Sequence, residues 1–208
     1  MSSSFFNSFK FLFILILSFS IILPIFFIPA FKDYSFETYF KSSDSLINNT
    51  KILGSNEFSW PVPGYTRISS GFGPRKAPTG GASTNHSGID IPAPPGTILV
   101  SISDGKVTST SWGGAGGYTV TINFGNITGS YCHVDYNFLV SPGEYVKKGQ
   151  VIAKIGPLNV YNVPNNPYKD KTGKPTNGAT TGPHLHLTIK KEGKAIDPLN
   201  ILFWILRF

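Results

Sequence analysis

Apolar residues fall along this chain in two different patterns. From Phe11 to Phe31 they form one run, interrupted only by Ser18, Ser20, Pro24 and Pro29 and free of charge. About 20 such residues span a bilayer as a helix, so residues 11–31 predict a transmembrane segment, either an anchor or a signal segment. The run exceeds a typical signal-peptide core, and Ile28-Pro29-Ala30-Phe31 is a poor cleavage site, which favours an uncleaved anchor. Lys10 precedes the run, while Lys32 beyond it is offset by Asp33. That asymmetry favours the short tail 1–10 inside and the body outside.

Past a polar stalk at 32–56, the pattern becomes short. The segments 98–103, 106–111, 118–124, 129–134, 151–155 and 184–189 carry β-branched or aromatic residues and predict strands. On the last of these, His184, His186 and Thr188 share one face and Leu185, Leu187 and Ile189 the other. Asp104-Gly105 and Phe124-Gly125-Asn126 predict hairpin turns, and Gly113 to Gly117 a flexible loop tip. Nothing between 57 and 200 has the period of a long amphipathic helix. The expectation is a mainly β chain with a single antiparallel β domain over 57–200, of two packed or folded-over sheets. The hydrophobic tail 201–208 is too short to span a bilayer and predicts a core or docking contact.

Composition changes this picture little. The 22 Gly and 16 Pro suit a turn-rich β protein, and the net charge of +7 comes from scattered Lys and Arg. Without a dense basic cluster, a nucleic-acid partner is not expected. Cys132 is the single cysteine, so no intrachain disulfide exists. Neighbours on a strand point to opposite faces, which predicts a buried structural thiol facing away from His133.

The candidate chemistry lies in the four histidines. His86 opens His86-Ser87-Gly88-Ile89-Asp90; His184 and His186 flank Leu185; His133 closes Tyr131-Cys132-His133. Two imidazoles and a carboxylate can hold a catalytic zinc with a fourth position open. Histidines at i and i+2 on a strand have Cα atoms roughly 6–7 Å apart and project together. His86 and Asp90 would lie roughly 13 Å apart on a straight strand, so both reach one centre only if the chain bends, which Gly88 permits. Spacing alone does not choose which imidazoles are ligands.

The segment from about Ile68 to Leu199 resembles the M23 zinc metallopeptidases, the LytM/lysostaphin-type endopeptidases of bacterial cell walls. The resemblance rests on Ser70-Gly71-Phe72-Gly73-Pro74-Arg75, His86-Ser87-Gly88-Ile89-Asp90-Ile91 and Pro95-Gly96-Thr97. It continues through Asp104-Gly105-Lys106-Val107, Tyr131-Cys132-His133, Lys148-Gly149-Gln150, Gly182-Pro183-His184-Leu185-His186 and Ile196-Asp197-Pro198-Leu199. It implies a LytM-like antiparallel β fold with a groove, one zinc ion held by His86, Asp90 and His186, and His133 and His184 as catalytic histidines. It further implies hydrolysis of peptide bonds in peptidoglycan stems or cross-bridges; joined to the apolar run 11–31, that predicts a single-pass bacterial membrane protein whose domain lies outside the cytoplasmic membrane, or a secreted one if the segment is cleaved. The competing reading is a non-catalytic LytM-type scaffold or regulator that binds wall or partner proteins; such members commonly have a damaged zinc motif, whereas all five positions are intact here. One departure is the long segment from Pro157 to Thr181, expected to border the groove and to shape substrate binding. Arg75 is expected near the groove or in a structural role.

Overall fold

A computed structural model describes residues 58–202; the expected membrane segment, the stalk and residues 203–208 lie outside the described residues. Among the described residues, no helix is long and apolar enough to cross a membrane.

The strands in chain order are β1 (Gly73–Pro74), β2 (Asn85–His86), β3 (Ile89–Pro92), β4 (Ile98–Val100), β5 (Gly105–Trp112), β6 (Tyr118–Asn123), β7 (Ile127–Cys132), β8 (Tyr145–Val146), β9 (Val151–Lys154), β10 (His184–Lys191) and β11 (Lys194–Ile196). One helical turn, α1 (Leu199–Leu202), follows. All pairings are antiparallel. The main sheet has seven strands in the order β11-β10-β7-β6-β5-β8, with β3 also on β10. β1 pairs β2, and β4 pairs β9, as separate two-stranded sheets. The sheet count thus exceeds the two expected, but the antiparallel β character holds.

Strand β10 positions the site. One of its edges pairs β7 over His186 to Lys191; the other pairs β3 over His184 to Leu187 and then β11 over Ile189 to Lys191. Its alternation matches the expectation: Leu185, Leu187 and Ile189 are fully buried in the core. They pack in one cluster with Val107, Val120, Ile122 and Tyr131 of the main sheet and with Leu99, Ile102, Ile152 and Ile155 around β4–β9. Fully burying each such side chain contributes roughly 1.5–3 kcal/mol, which holds the opposite, polar face of β10 in place.

Two turns differ in their roles. Phe124-Gly125-Asn126 closes the β6–β7 hairpin, with the Phe124 N–H donating to the Ile127 carbonyl at 2.9 Å. Asp104-Gly105 is not a hairpin turn. It carries the chain from β4, whose partner is β9, into β5, whose partners are β6 and β8. The Asp104 carboxylate is satisfied by the Lys148 N–H at 2.8 Å and the Lys147 ammonium at 2.9 Å. The start of the C-terminal tail is helical, and Leu202 is fully buried in the core.

Candidate metal centre

β3 and β10 lie side by side with Asp90 opposite His186, so the first and last motifs meet across one strand pair. His86, at the end of β2, reaches the same place because the chain bends before β3. The His86 Nε2 lies 3.1 Å from Asp90 Oδ1 and 2.9 Å from His186 Nδ1, and His186 Nδ1 lies 2.8 Å from the same carboxylate oxygen. Gly88 is required at the bend, but not for a left-handed backbone. A Cβ there would meet the Leu187 carbonyl and come within 3.1 Å of the His186 ring. The glycine therefore lets β10 approach the bend at backbone distance.

Each imidazole is oriented by its outer nitrogen. His86 Nδ1 lies 2.6 Å from the Gly71 carbonyl, His133 Nδ1 2.7 Å from the Asn177 carbonyl, and His184 Nδ1 2.8 Å from the Gly182 carbonyl. A carbonyl only accepts, so Nδ1 must carry the proton and Nε2 presents its lone pair in the neutral ring. His186 is turned the other way: Nδ1 faces Asp90 and His86, and Nε2 lies 2.9 Å from Thr188 Oγ1. The His133 and His184 rings lie side by side, with centroids 4.6 Å apart, and His184 Nε2 is 3.5 Å from Asp90 Oδ1.

His86, Asp90 and His186 offer three ligand atoms that all lie within 4.8 Å of one another. The donor set suits a divalent metal such as zinc: two imidazole lone pairs and one carboxylate, with outer partners on the rings. Arg75 supplies the carboxylate's outer partner, its Nη1 donating to Asp90 Oδ2 at 2.9 Å and to Ser70 Oγ at 2.7 Å. Burial by itself would raise the Asp90 carboxyl, yet the close imidazoles of His184, His186 and His86 hold it far below the ordinary carboxylate range. Burial pushes the His133 imidazole down to about 3, the neighbouring His184 charge adding to it, and burial likewise lowers His186.

Cys132 is buried as expected, and burial pushes its thiol up to about 11. It does not face away from His133, however. Both line one cavity, because the strand ends at Cys132 and His133 adopts a left-handed backbone with φ of 61°. The His133 amide donates to the Gly116 carbonyl at 2.8 Å, and its carbonyl accepts from Gly156 at 2.9 Å. The Gly113 to Gly117 segment is correspondingly no free tip. It is wedged between His133 and the long 157–181 segment, with the Ala179 amide donating to the Ala115 carbonyl at 2.8 Å.

Asn177, which the sequence marked only as part of the long segment and without a role of its own, locks that wedge. Its backbone carbonyl holds His133, its Oδ1 accepts from the Tyr118 amide at 2.8 Å, and its Nδ2 donates to the Val134 carbonyl at 2.9 Å. The long segment therefore borders the site, as expected, and also builds it. Two adjoining cavities of about 370 and 460 Å³ open at the histidines, sharing Arg75, His133, Ala179 and His186 in their walls.

Comparison with known proteins agrees with this arrangement. The sequence profile of Peptidase family M23 matches residues 84–198. The peptidoglycan DD-endopeptidase ShyB of Vibrio cholerae is 33% identical over 138 residues, covering 65% of this chain and 28% of that protein. A zinc containing peptidase from Vibrio cholerae has a similar crystal structure, with a TM-score of 0.52 and 32% identity over 66% of this chain and 37% of that one. The antimicrobial peptidase lysostaphin from Staphylococcus simulans gives a TM-score of 0.53 at 27% identity, over 68% of this chain and 51% of its own. The chain spans less than a third of the length of the curated relatives it matches.

Proposed function

The chain belongs to peptidase family M23, and we propose that it is a zinc-dependent endopeptidase that hydrolyses peptide bonds in bacterial peptidoglycan. The observation that carries this reading is the convergence of His86 Nε2, Asp90 Oδ1 and His186 Nδ1 within 4.8 Å, with two further histidines against them. These three residues would hold the ion. When bound, zinc lowers the pKa of a coordinated water and polarises the scissile carbonyl.

The chain's own residues handle the protons. His184 and His133 both present Nε2 toward the site, since Nδ1 is engaged by a carbonyl in each. His184 is the less buried of the two and lies 3.5 Å from the Asp90 carboxylate. That position places it to take up the proton of the attacking water. His133, kept neutral by burial, orients that water by accepting a hydrogen bond at Nε2. Arg75 holds Asp90 in its ligating orientation. In this reading the apolar run 11–31 anchors the chain in the cytoplasmic membrane, and the β domain acts on the wall outside it.

The test uses the full 208-residue chain, purified in detergent and loaded with zinc, on isolated peptidoglycan. New amine termini and fragment masses are followed beside a His86→Ala variant. Release of fragments by the parent chain alone is the expected result. Stoichiometric zinc binding without any release, across several wall chemistries, would overturn the reading in favour of a scaffold.

A further inference from the structure

Alternate side chains of a strand share a face, so His184, His186, Thr188 and Lys190 of β10 project to one side. Lys190 and Thr188 line the cavity of about 370 Å³, together with the ring of His186 and the side chains of Ser130 and Thr119. Hydroxyls that both donate and accept make that wall suited to a peptide backbone. The charge on it is one-sided. Lys190 and Arg75 are its cations, no carboxylate lines it, and Arg75 is already committed to Asp90. Lys190 forms no ion pair among the described residues.

We propose that this cavity is a carboxylate subsite, in which Lys190 binds a free carboxylate of the peptide being cleaved. The proposal rests on the endopeptidase reading above and names what that site selects. Four residues of strand set the Lys190 Cα roughly 13 Å from that of His186. An extended peptide advances about 3.3–3.6 Å per residue, so the recognised carboxylate lies within about four residues of the scissile bond. Lysine is a compact point charge on a flexible stem, which suits an acidic group whose exact position varies along a branched peptide. Lys191, the next residue, projects from the opposite face of β10 and does not line the cavity.

Cross-linked peptide dimers released from peptidoglycan are prepared in two forms, with carboxyls free or converted to primary amides. Cleavage by the full zinc-loaded chain and binding to the metal-free chain are both measured, for the parent, Lys190→Gln and Lys191→Gln. The parent is expected to cleave and to bind the free-carboxyl dimer about fivefold better than the amide. Lys190→Gln is expected to erase that preference, bringing the free-carboxyl dimer to the level of the amidated one; Lys191→Gln is expected to retain it. A preference that survives in Lys190→Gln, or none in the parent, overturns the proposal. Binding that follows the Lys190-dependent pattern without any cleavage supports the subsite and overturns the endopeptidase reading instead.

Discussion

Replacing Asn177 with alanine removes two buried hydrogen bonds at once, those from the Tyr118 amide and to the Val134 carbonyl. Asn177 is 1% exposed, so water does not readily take its place. A buried backbone group left without a partner costs about 1–3 kcal/mol, and the pair together roughly 2–6 kcal/mol. For a domain of this size each kcal/mol lowers the midpoint by about 2–4 °C, so the thermal transition should fall by about 4–24 °C. The chemistry should suffer separately, because the Asn177 backbone carbonyl is what His133 Nδ1 bonds at 2.7 Å. With the side chain gone, that carbonyl is no longer pinned to β6 and to Val134. A misaligned water-orienting histidine should lower kcat by about 10–100-fold with little change in KM. Asn166→Ala provides the control. Asn166 is also buried, donating to the Thr176 carbonyl at 2.7 Å and accepting from the Tyr168 amide at 3.0 Å, but it reaches His133 only indirectly, through the peptide unit that precedes Asn177. It should cost comparable stability and leave kcat nearly intact when assayed well below both transitions. Equal kcat losses in the two variants, or an undiminished kcat in Asn177→Ala, would refute the assignment of His133 positioning to Asn177.

Gly88→Ala would set a Cβ against the Leu187 backbone; backbone cannot swing aside, so the β3–β10 pairing should open and urea unfolding should show a loss of several kcal/mol, on the order of 3. Arg75→Gln removes the outer partner of Asp90 and should weaken zinc binding by about 10–100-fold, read by competition with a chromophoric chelator; an unchanged affinity would make Arg75 purely structural. Stability of the metal-free chain should fall with acid in a defined window. Folded His133 stays neutral down to about 3, against an ordinary value of 6.5, so the unfolded chain binds more protons between those limits and the urea midpoint should drop as pH falls from 6.5 toward 3. The slope reaches at most about 1.4 kcal/mol per pH unit for each such histidine. His133→Gln should flatten it, and a slope unaltered by that substitution would exclude His133 as its source.

The parts of the site that were legible in the sequence are those governed by strand alternation. His184 and His186 face the cavity because Leu185, Leu187 and Ile189 are fixed in the core on the other side. Alternation failed where the strand stopped: Cys132 and His133 share a cavity because His133 turns left-handed one residue past β7. Strands β1, β2, β8 and β11 are two or three residues long, too short to establish a period of their own; partners distant in sequence hold them. Asp104-Gly105 carries turn chemistry and does turn the chain. Turn composition does not specify which strands flank a turn, and here they belong to different sheets.

What the sequence could not display is the set of groups that fixes the ring orientations. The outer nitrogens of His86, His133 and His184 rest on the carbonyls of Gly71, Asn177 and Gly182, contributed by two loops, one before β1 and one between β9 and β10. Every residue has a carbonyl, so such a partner leaves no mark in residue identity; only the fold selects it. His186 is the exception, and it shows why. Its outer nitrogen meets the Thr188 hydroxyl, a side chain two residues along the same strand face and therefore visible in the sequence. The β strands thus bring the ligating side chains together, while the loops choose which nitrogen of each ring carries the proton. A loop change that leaves all five residues in place can on this account still disable the site, by releasing one carbonyl and letting the inward nitrogen become a donor where a lone pair is required.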